Sequence, residues 1–274
     1  MGKRISLNNI SVVYEDRGRP FKALHNINLD IQPGEFVSII GSSGCGKSTL
    51  LSVLEGLLLP TTGEAYVEEE RIAGPGTERS VVFQSYSLFP WMTAAQNVSF
   101  ALEQSQPTLT RKRRTQQAEQ YLTEVGLKGF EHRYPKELSG GQQQRVAIAR
   151  ALAENGEVLL MDEPFGAIDA KNRAILQDLL LQLWEGEANH EHERKTVVFV
   201  THDLDEALIL SDRIILMEAH QQEGIPGHIR ADFKINLPRP RHRLELLQNK
   251  DYLNLRSKLS EIFFTDAHEY ERGE

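Results

Sequence analysis

Gly41-Ser42-Ser43-Gly44-Cys45-Gly46-Lys47-Ser48-Thr49 is the stretch from which the rest of the chain can be read. It fits G-x-x-x-x-G-K-S/T, a loop that holds phosphate. The apolar run at residues 36–40 precedes it, as in a strand buried inside a parallel sheet. A helix is expected from about Lys47 to Gly56. Glycines let the backbone wrap closely around phosphate oxygens. The N–H groups of the loop and of the helix start point at the anion. Lys47 brings a full positive charge to the outer phosphates, and the Ser48 hydroxyl is placed for magnesium. Strand, loop, lysine, hydroxyl and helix stand in the order that a nucleotide site requires, so a plain glycine turn is set aside.

A second motif lies about 115 residues further on: Val158-Leu159-Leu160-Met161-Asp162-Glu163, an apolar strand ending in two carboxylates. Asp162 can hold magnesium through water. Successive strand side chains alternate in direction, so Glu163 points elsewhere and can polarise an attacking water as general base.

The pattern around these motifs is that of an α/β chain. Ile5, Leu7, Ile10, Val12 and Tyr14 read as a strand with an irregularity at Asn8-Asn9. Ile27, Leu29 and Ile31 alternate until Pro33-Gly34 ends the strand. Short apolar runs at residues 81–83, 196–200 and 214–217 read as further buried strands, with helical stretches between the later ones. Residues 86–155 show helical spacing and no convincing strand. In the tail after Ala219, residues 229–237 read as one more strand, and residues 252–264 as a closing amphipathic helix.

Leu138-Ser139-Gly140-Gly141-Gln142 narrows the reading. It resembles the signature of ATP-binding-cassette proteins, about 20 residues before the acidic strand as in that family. Physically, a hydroxyl and bare backbone at a helix start make a second anion site. The resemblance covers about residues 4–218 and implies an α/β P-loop NTPase fold: a mostly parallel sheet with flanking helices, an N-terminal antiparallel β portion and an inserted helical lobe. It implies a single ABC ATPase domain over residues 1–274. Within it, residues 1–85 and 156–218 form the RecA-like β lobe, 86–155 the helical lobe and 219–274 a C-terminal extension.

The resemblance also assigns roles. Lys47, Gln84, Glu163 and His202 would be catalytic. Tyr14 would stack on adenine. Gly41 to Thr49, Cys45 included, would cradle the phosphates of ATP, and Ser48, Gln84 and Asp162 would hold Mg2+. Ser139, Gly140, Gly141 and Gln142 would serve the nucleotide of an opposing copy in a homodimer, with Asp169 communicating across it. Gly166 and Ile168 depart mildly from the family pattern, where many relatives have Ser and Leu. The segments at 74–79, 88–93 and 237–241 resemble importers of nitrate, sulfonates, taurine and related compounds. The resemblance therefore implies permease subunits, an extracytoplasmic substrate-binding protein, and a peripheral place on the cytoplasmic face of the cell membrane.

Composition agrees with this reading. A formal net charge of −8 argues against a nucleic acid partner. The apolar runs fall far short of the roughly 20 residues that span a bilayer, and the opening residues lack the apolar core of an export signal. One cysteine, Cys45, excludes an internal disulfide, and its place beside Lys47 and a helix start is expected to lower its pKa. Arg111-Lys112-Arg113-Arg114 reads as a solvated helix start, and His190-Glu191-His192-Glu193 as a flexible loop in preference to a metal site.

Overall fold

The computed structural model describes residues 1–16, 18–186, 194–220 and 223–270. The segment His190-Glu191-His192-Glu193 lies outside the described residues.

In chain order the elements are β1 (Ile5–Asp16), β2 (Arg19–Ile31), β3 (Phe36–Gly41), α1 (Lys47–Glu55), β4 (Thr62–Val67), β5 (Glu70–Arg71) and β6 (Arg79–Val82). Then come α2 (Ala94–Ser105), α3 (Arg111–Glu124), a 3-10 turn (Pro135–Glu137), α4 (Gly140–Ala153) and β7 (Val158–Asp162). The chain continues through α5 (Ala170–Glu185), β8 (Thr196–Val200), α6 (Leu204–Leu210), β9 (Arg213–His220) and β10 (Ile225–Lys234). Two helices close it, α7 (Arg243–Leu246) and α8 (Lys250–Tyr270).

One ten-stranded sheet joins the strands in the order β5-β4-β1-β2-β10-β9-β3-β8-β7-β6. From β9 to β6 every neighbouring pair is parallel. The β5-β4-β1-β2 end is antiparallel. The fold class inferred from the motifs is therefore the one observed. The irregularity at Asn8-Asn9 is real: β1 slips register between Leu7 and Ile10, and Asn9 turns to φ 54°.

The parallel strands carry apolar side chains on both faces because both faces are covered. In β3, Phe36 and Ile40 enter one core while Val37 and Ile39 enter the other. β8 splits likewise, with Val197 and Phe199 on one side and Val198 and Val200 on the other. The first core is closed by the helices from α2 onward, and the second by α1 and the N-terminal strands. Phe36 sits edge-on to Trp184 at 5.3 Å and against Phe199 at 6.0 Å. Such pairs add about 1 kcal/mol each beyond their buried area.

Three features differ from the expectations. β4 and β5 were not legible, because both are short; β4 buries only Ala65 and Val67 and β5 is exposed, so no apolar run marks them. The tail strand begins and ends earlier than residues 229–237; Ile235 and Leu237 leave the sheet to fill the helix-side core instead. The closing helix starts at Lys250 and extends to Tyr270.

Candidate functional site

Strand ends at the middle of the sheet place the candidate residues. β3 runs into the 41–46 loop, whose Gly44 and Gly46 adopt φ 81° and 101°. A Cβ at Gly46 would lie 2.5 Å from Leu24 Cδ2, so glycine is needed there for space as well as for conformation. α1 then starts at Lys47 with no side-chain cap, which leaves its first N–H groups for a ligand. Lys47 is 7% exposed, and its ammonium donates to the Gly41 carbonyl at 2.8 Å and the Ser42 carbonyl at 3.0 Å.

β7 and β8 are parallel neighbours, so the residues that follow them come together. The Ser48 hydroxyl donates to Asp162 Oδ1 at 3.4 Å. Burial pushes the Asp162 carboxyl above its usual range; the Ser48 hydrogen bond and Lys47 oppose this, while Glu163 adds to it. Glu163 takes φ 40°, a left-handed conformation unusual for a residue with a Cβ, and donates its N–H to the Val200 carbonyl at 3.0 Å. Its Oε2 accepts from Gln84 Nε2 at 3.3 Å and lies 3.3 Å from His202 Nδ1. Gln84, Glu163 and His202, distant in the chain, thus converge on one carboxylate oxygen.

An open cavity of about 390 Å³ faces this group. Tyr14, Ser43, Gly44, Gly46, Lys47, Ser48, Thr49, Glu163 and His202 line it, together with Phe21 and Ala23. Phe21 was not singled out in the sequence. It stands opposite Tyr14 across the β1–β2 ladder, and both rings are about 40% exposed. The signal was the hairpin register, which the irregular spacing of β1 hides. Gly41, Ser42, Gln84 and Asp162 do not line the cavity; Gln84 and Asp162 are tied to residues that do by the bonds just described.

Two groups of candidates lie outside this cavity. Ser139 caps α4: its hydroxyl accepts from Gln142 N at 3.3 Å while Gln142 Oε1 accepts from Ser139 N at 2.9 Å. Gly140 and Gly141 open that helix, and none of the four lines the cavity of its own chain. Asp169 caps α5, and its hydrogen bonds from Asn172 hold its carboxyl below the usual range.

Cys45 requires a correction. Its side chain is fully buried in the sheet-side core and does not line the cavity, so only its backbone is available to a phosphate. Burial pushes its thiol up, contrary to the expected lowering; Lys47 opposes the shift without cancelling it.

Comparison with known proteins places these features in context. A family model described as ABC transporter matches residues 24–166. An uncharacterised ABC transporter ATP-binding protein of Methanocaldococcus jannaschii is 44% identical over 96% of this chain and 92% of its own length. The nitrate import ATP-binding protein NrtD of Synechococcus elongatus is 42% identical over 89% of this chain and 86% of its own. A solved dimeric ATP-binding cassette in a post-hydrolysis state, bound to ADP and Pi, superposes with a TM-score of 0.73 at 35% identity. That superposition covers 85% of this chain and 100% of the other.

Proposed function

The chain is an ATPase belonging to the ABC transporter family, and from that premise we propose that it drives import of a small anion or organic compound such as nitrate, a sulfonate or taurine. The observation that carries the site reading is the convergence of Lys47, Ser48, Glu163 and His202 on one cavity that opens toward Tyr14 and Phe21. The nitrate import relative supports a small anion as cargo.

ATP enters with its phosphates in the 41–49 cradle and its base against the Tyr14–Phe21 edge. Lys47, now satisfied by two backbone carbonyls, is within reach of a phosphate oxygen that offers a stronger, charge-assisted bond. Ser48, Asp162 and Gln84 would hold magnesium: each offers an oxygen ligand, and the half-buried Asp162 carboxyl already meets the Ser48 hydroxyl. Magnesium is a hard cation that takes oxygen ligands and keeps several waters, so a few protein oxygens suffice. When bound, it supplies charge neutralisation on the phosphates. Glu163 accepts the proton of the attacking water. Gln84 and His202 fix the carboxylate that does so, and His202, with its side chain 64% exposed, also reaches toward the terminal phosphate.

The exposed start of α4 serves a second copy. Ser139, Gly140 and Gly141 do not line their own chain's cavity, and a head-to-tail homodimer brings them to the opposing ATP. The helical lobe, residues 86–155, carries the resulting motion to the permease. A second cavity of about 420 Å³, lined by Leu57, Pro75, Phe83 and Phe100, opens where this lobe meets the end of α1. Leu57, Leu59 and Trp91 stand exposed on the same chain, at 62%, 58% and 68%. A contiguous apolar patch left in water marks a docking surface, and the permease contact is placed at Trp91 on that ground. Of the 88–91 cluster Pro90 and Trp91 are exposed, whereas Leu88 packs on the core.

Among the described residues no helix is long and apolar enough to cross a membrane. The permease holds the subunit at the cytoplasmic face, and an extracytoplasmic binding protein delivers the cargo. Phosphate release from ATP by the purified chain tests this reading. Glu163→Gln should retain ATP binding and lose turnover by about 10²–10⁴-fold. Near-normal turnover would remove Glu163 from the role of base.

A further inference from the structure

The segment after β10 reads Leu237-Pro238-Arg239-Pro240-Arg241-His242-Arg243, and Arg239 and Arg241 turn back on the helix that follows His202. Arg241 is 5% exposed, and its Nη1 donates to the carbonyls of Leu208, Ile209 and Ser211 at 3.1, 3.2 and 2.6 Å. These are the last carbonyls of α6 and the residue after it, which no helical N–H satisfies. Arg239 donates to the Leu210 carbonyl at 2.7 Å and pairs with Asp212 and Glu185. At the other end of α6, Asp205 accepts from Tyr252 Oη at 3.0 Å and from Arg256 at 2.5 and 3.0 Å. The tail therefore grips both ends of α6.

A buried chain of hydrogen bonds continues from this grip to the residue beside His202. Arg243 Nη2 donates to Gln177 Oε1. Gln177 Nε2 donates to Glu206 Oε1 at 2.9 Å. Glu206 Oε2 accepts from the Thr201 hydroxyl at 2.6 Å, and Thr201 Oγ1 accepts from Asp203 N at 3.0 Å. Gln177, Thr201 and Glu206 are 1%, 2% and 6% exposed. In such surroundings each bond is strong and each missing partner is expensive, so the group has one favoured arrangement. The Thr201 hydroxyl closes a loop around His202: it joins the residue before His202 to the N–H of the residue after it.

We propose that Gln177 and Glu206 are positioning residues for His202, and that Arg243 extends their hold to the C-terminal segment, which thereby sets the catalytic histidine. None of these side chains lines the nucleotide cavity. They act through the Thr201 turn, which aims the imidazole at Glu163 Oε2, 3.3 Å away. A small error in that aim costs turnover without costing nucleotide affinity, because the phosphate cradle belongs to another loop. The inference rests on the ATPase reading above.

The test is ATP hydrolysis by the whole chain carrying Gln177→Leu, Thr201→Val, Thr201→Ser or Arg243→Ala. Gln177→Leu and Thr201→Val should lower kcat by about 10- to 100-fold while KM stays within about two-fold. Thr201→Ser, which keeps the hydroxyl, should restore most of what Thr201→Val loses. Arg243→Ala should lower kcat in the same direction with KM unchanged. In a His202→Ala background, single-turnover rates should show no further loss on adding Gln177→Leu, since the two act on one function. An equal loss in that background, or a rise in KM matching the fall in kcat, would show a merely structural role and overturn the proposal. Full turnover by Thr201→Val overturns it independently of whether Gln177→Leu folds, and full turnover by Arg243→Ala removes the C-terminal link. A wild-type chain that does not hydrolyse ATP, or a His202→Ala variant with unchanged turnover, would instead sink the reading on which the proposal rests.

Discussion

Glu55 sits at the end of the phosphate-loop helix, 7% exposed, on the wall of the second cavity. Burial, and secondarily the charge of Asp162, push its carboxyl up from 4.5 to about 7. A native state that holds this proton more tightly than the unfolded chain loses stability as pH rises. The effect is absent below 4.5, develops between 4.5 and about 7, and is complete above. A displacement of that size disfavours the ionised form by about 3 kcal/mol. Water reaching the carboxyl through the open cavity screens part of it, leaving about 2 kcal/mol. Glu55→Gln keeps the shape and removes the charge. Urea unfolding should therefore find the variant more stable than wild type by about 2 kcal/mol at pH 8 and nearly equal at pH 4.5 to 5. A difference that is independent of pH, or a variant less stable at pH 8, would refute the electrostatic account and make Glu55 a hydrogen-bonding or packing residue instead.

Other expectations follow from burial and from the placement of the two phosphate sites. Cys45 is fully buried, so maleimide labelling should track unfolding and be slow in native buffer; rapid labelling that ATP prevents would return the thiol to the cavity. Trp91→Ala should change the stability of the isolated subunit by less than about 1 kcal/mol, because the ring is largely in water, and should weaken assembly with the permease by about 2 kcal/mol or more. A destabilised subunit that assembles normally would reverse that assignment. Lys47→Ala and Ser139→Arg should each silence a homodimer, and mixing them should restore part of the activity, since both defects then fall on one composite site. No recovery in proven mixed dimers would mean that the sites are not shared or that both must fire.

Much of the site was legible because its parts are local. A phosphate cradle needs glycines, a lysine and a hydroxyl within nine consecutive residues, 41–49, and no distant contact is required to recognise it. The strand ending in Asp162-Glu163 and the capped helix start at Ser139 are equally short-range patterns. Where signals were weak, reading stopped: β4 buries only Ala65 and Val67 and β5 neither of its residues, too few to stand out in the sequence, and the strand proposed for residues 229–237 absorbed Ile235 and Leu237, whose apolar character serves a core beyond the sheet.

By itself, then, the sequence determined the fold class, the strand-loop-helix that holds phosphate, the acidic strand end and the family, all from residues adjacent in the chain. Only the tertiary structure decided which of those residues meet. Convergence of Gln84, Glu163 and His202 depends on β6, β7 and β8 lying side by side, and the Tyr14–Phe21 edge on the slipped register of a hairpin. Cys45 turned into the core and its thiol rose because burial outweighed the nearby lysine, a balance that only packing fixes. The tail's hold on α6 was equally hidden. A proline-arginine run has no period to read, and its meaning lies in carbonyls some 30 residues away that only folding brings within reach.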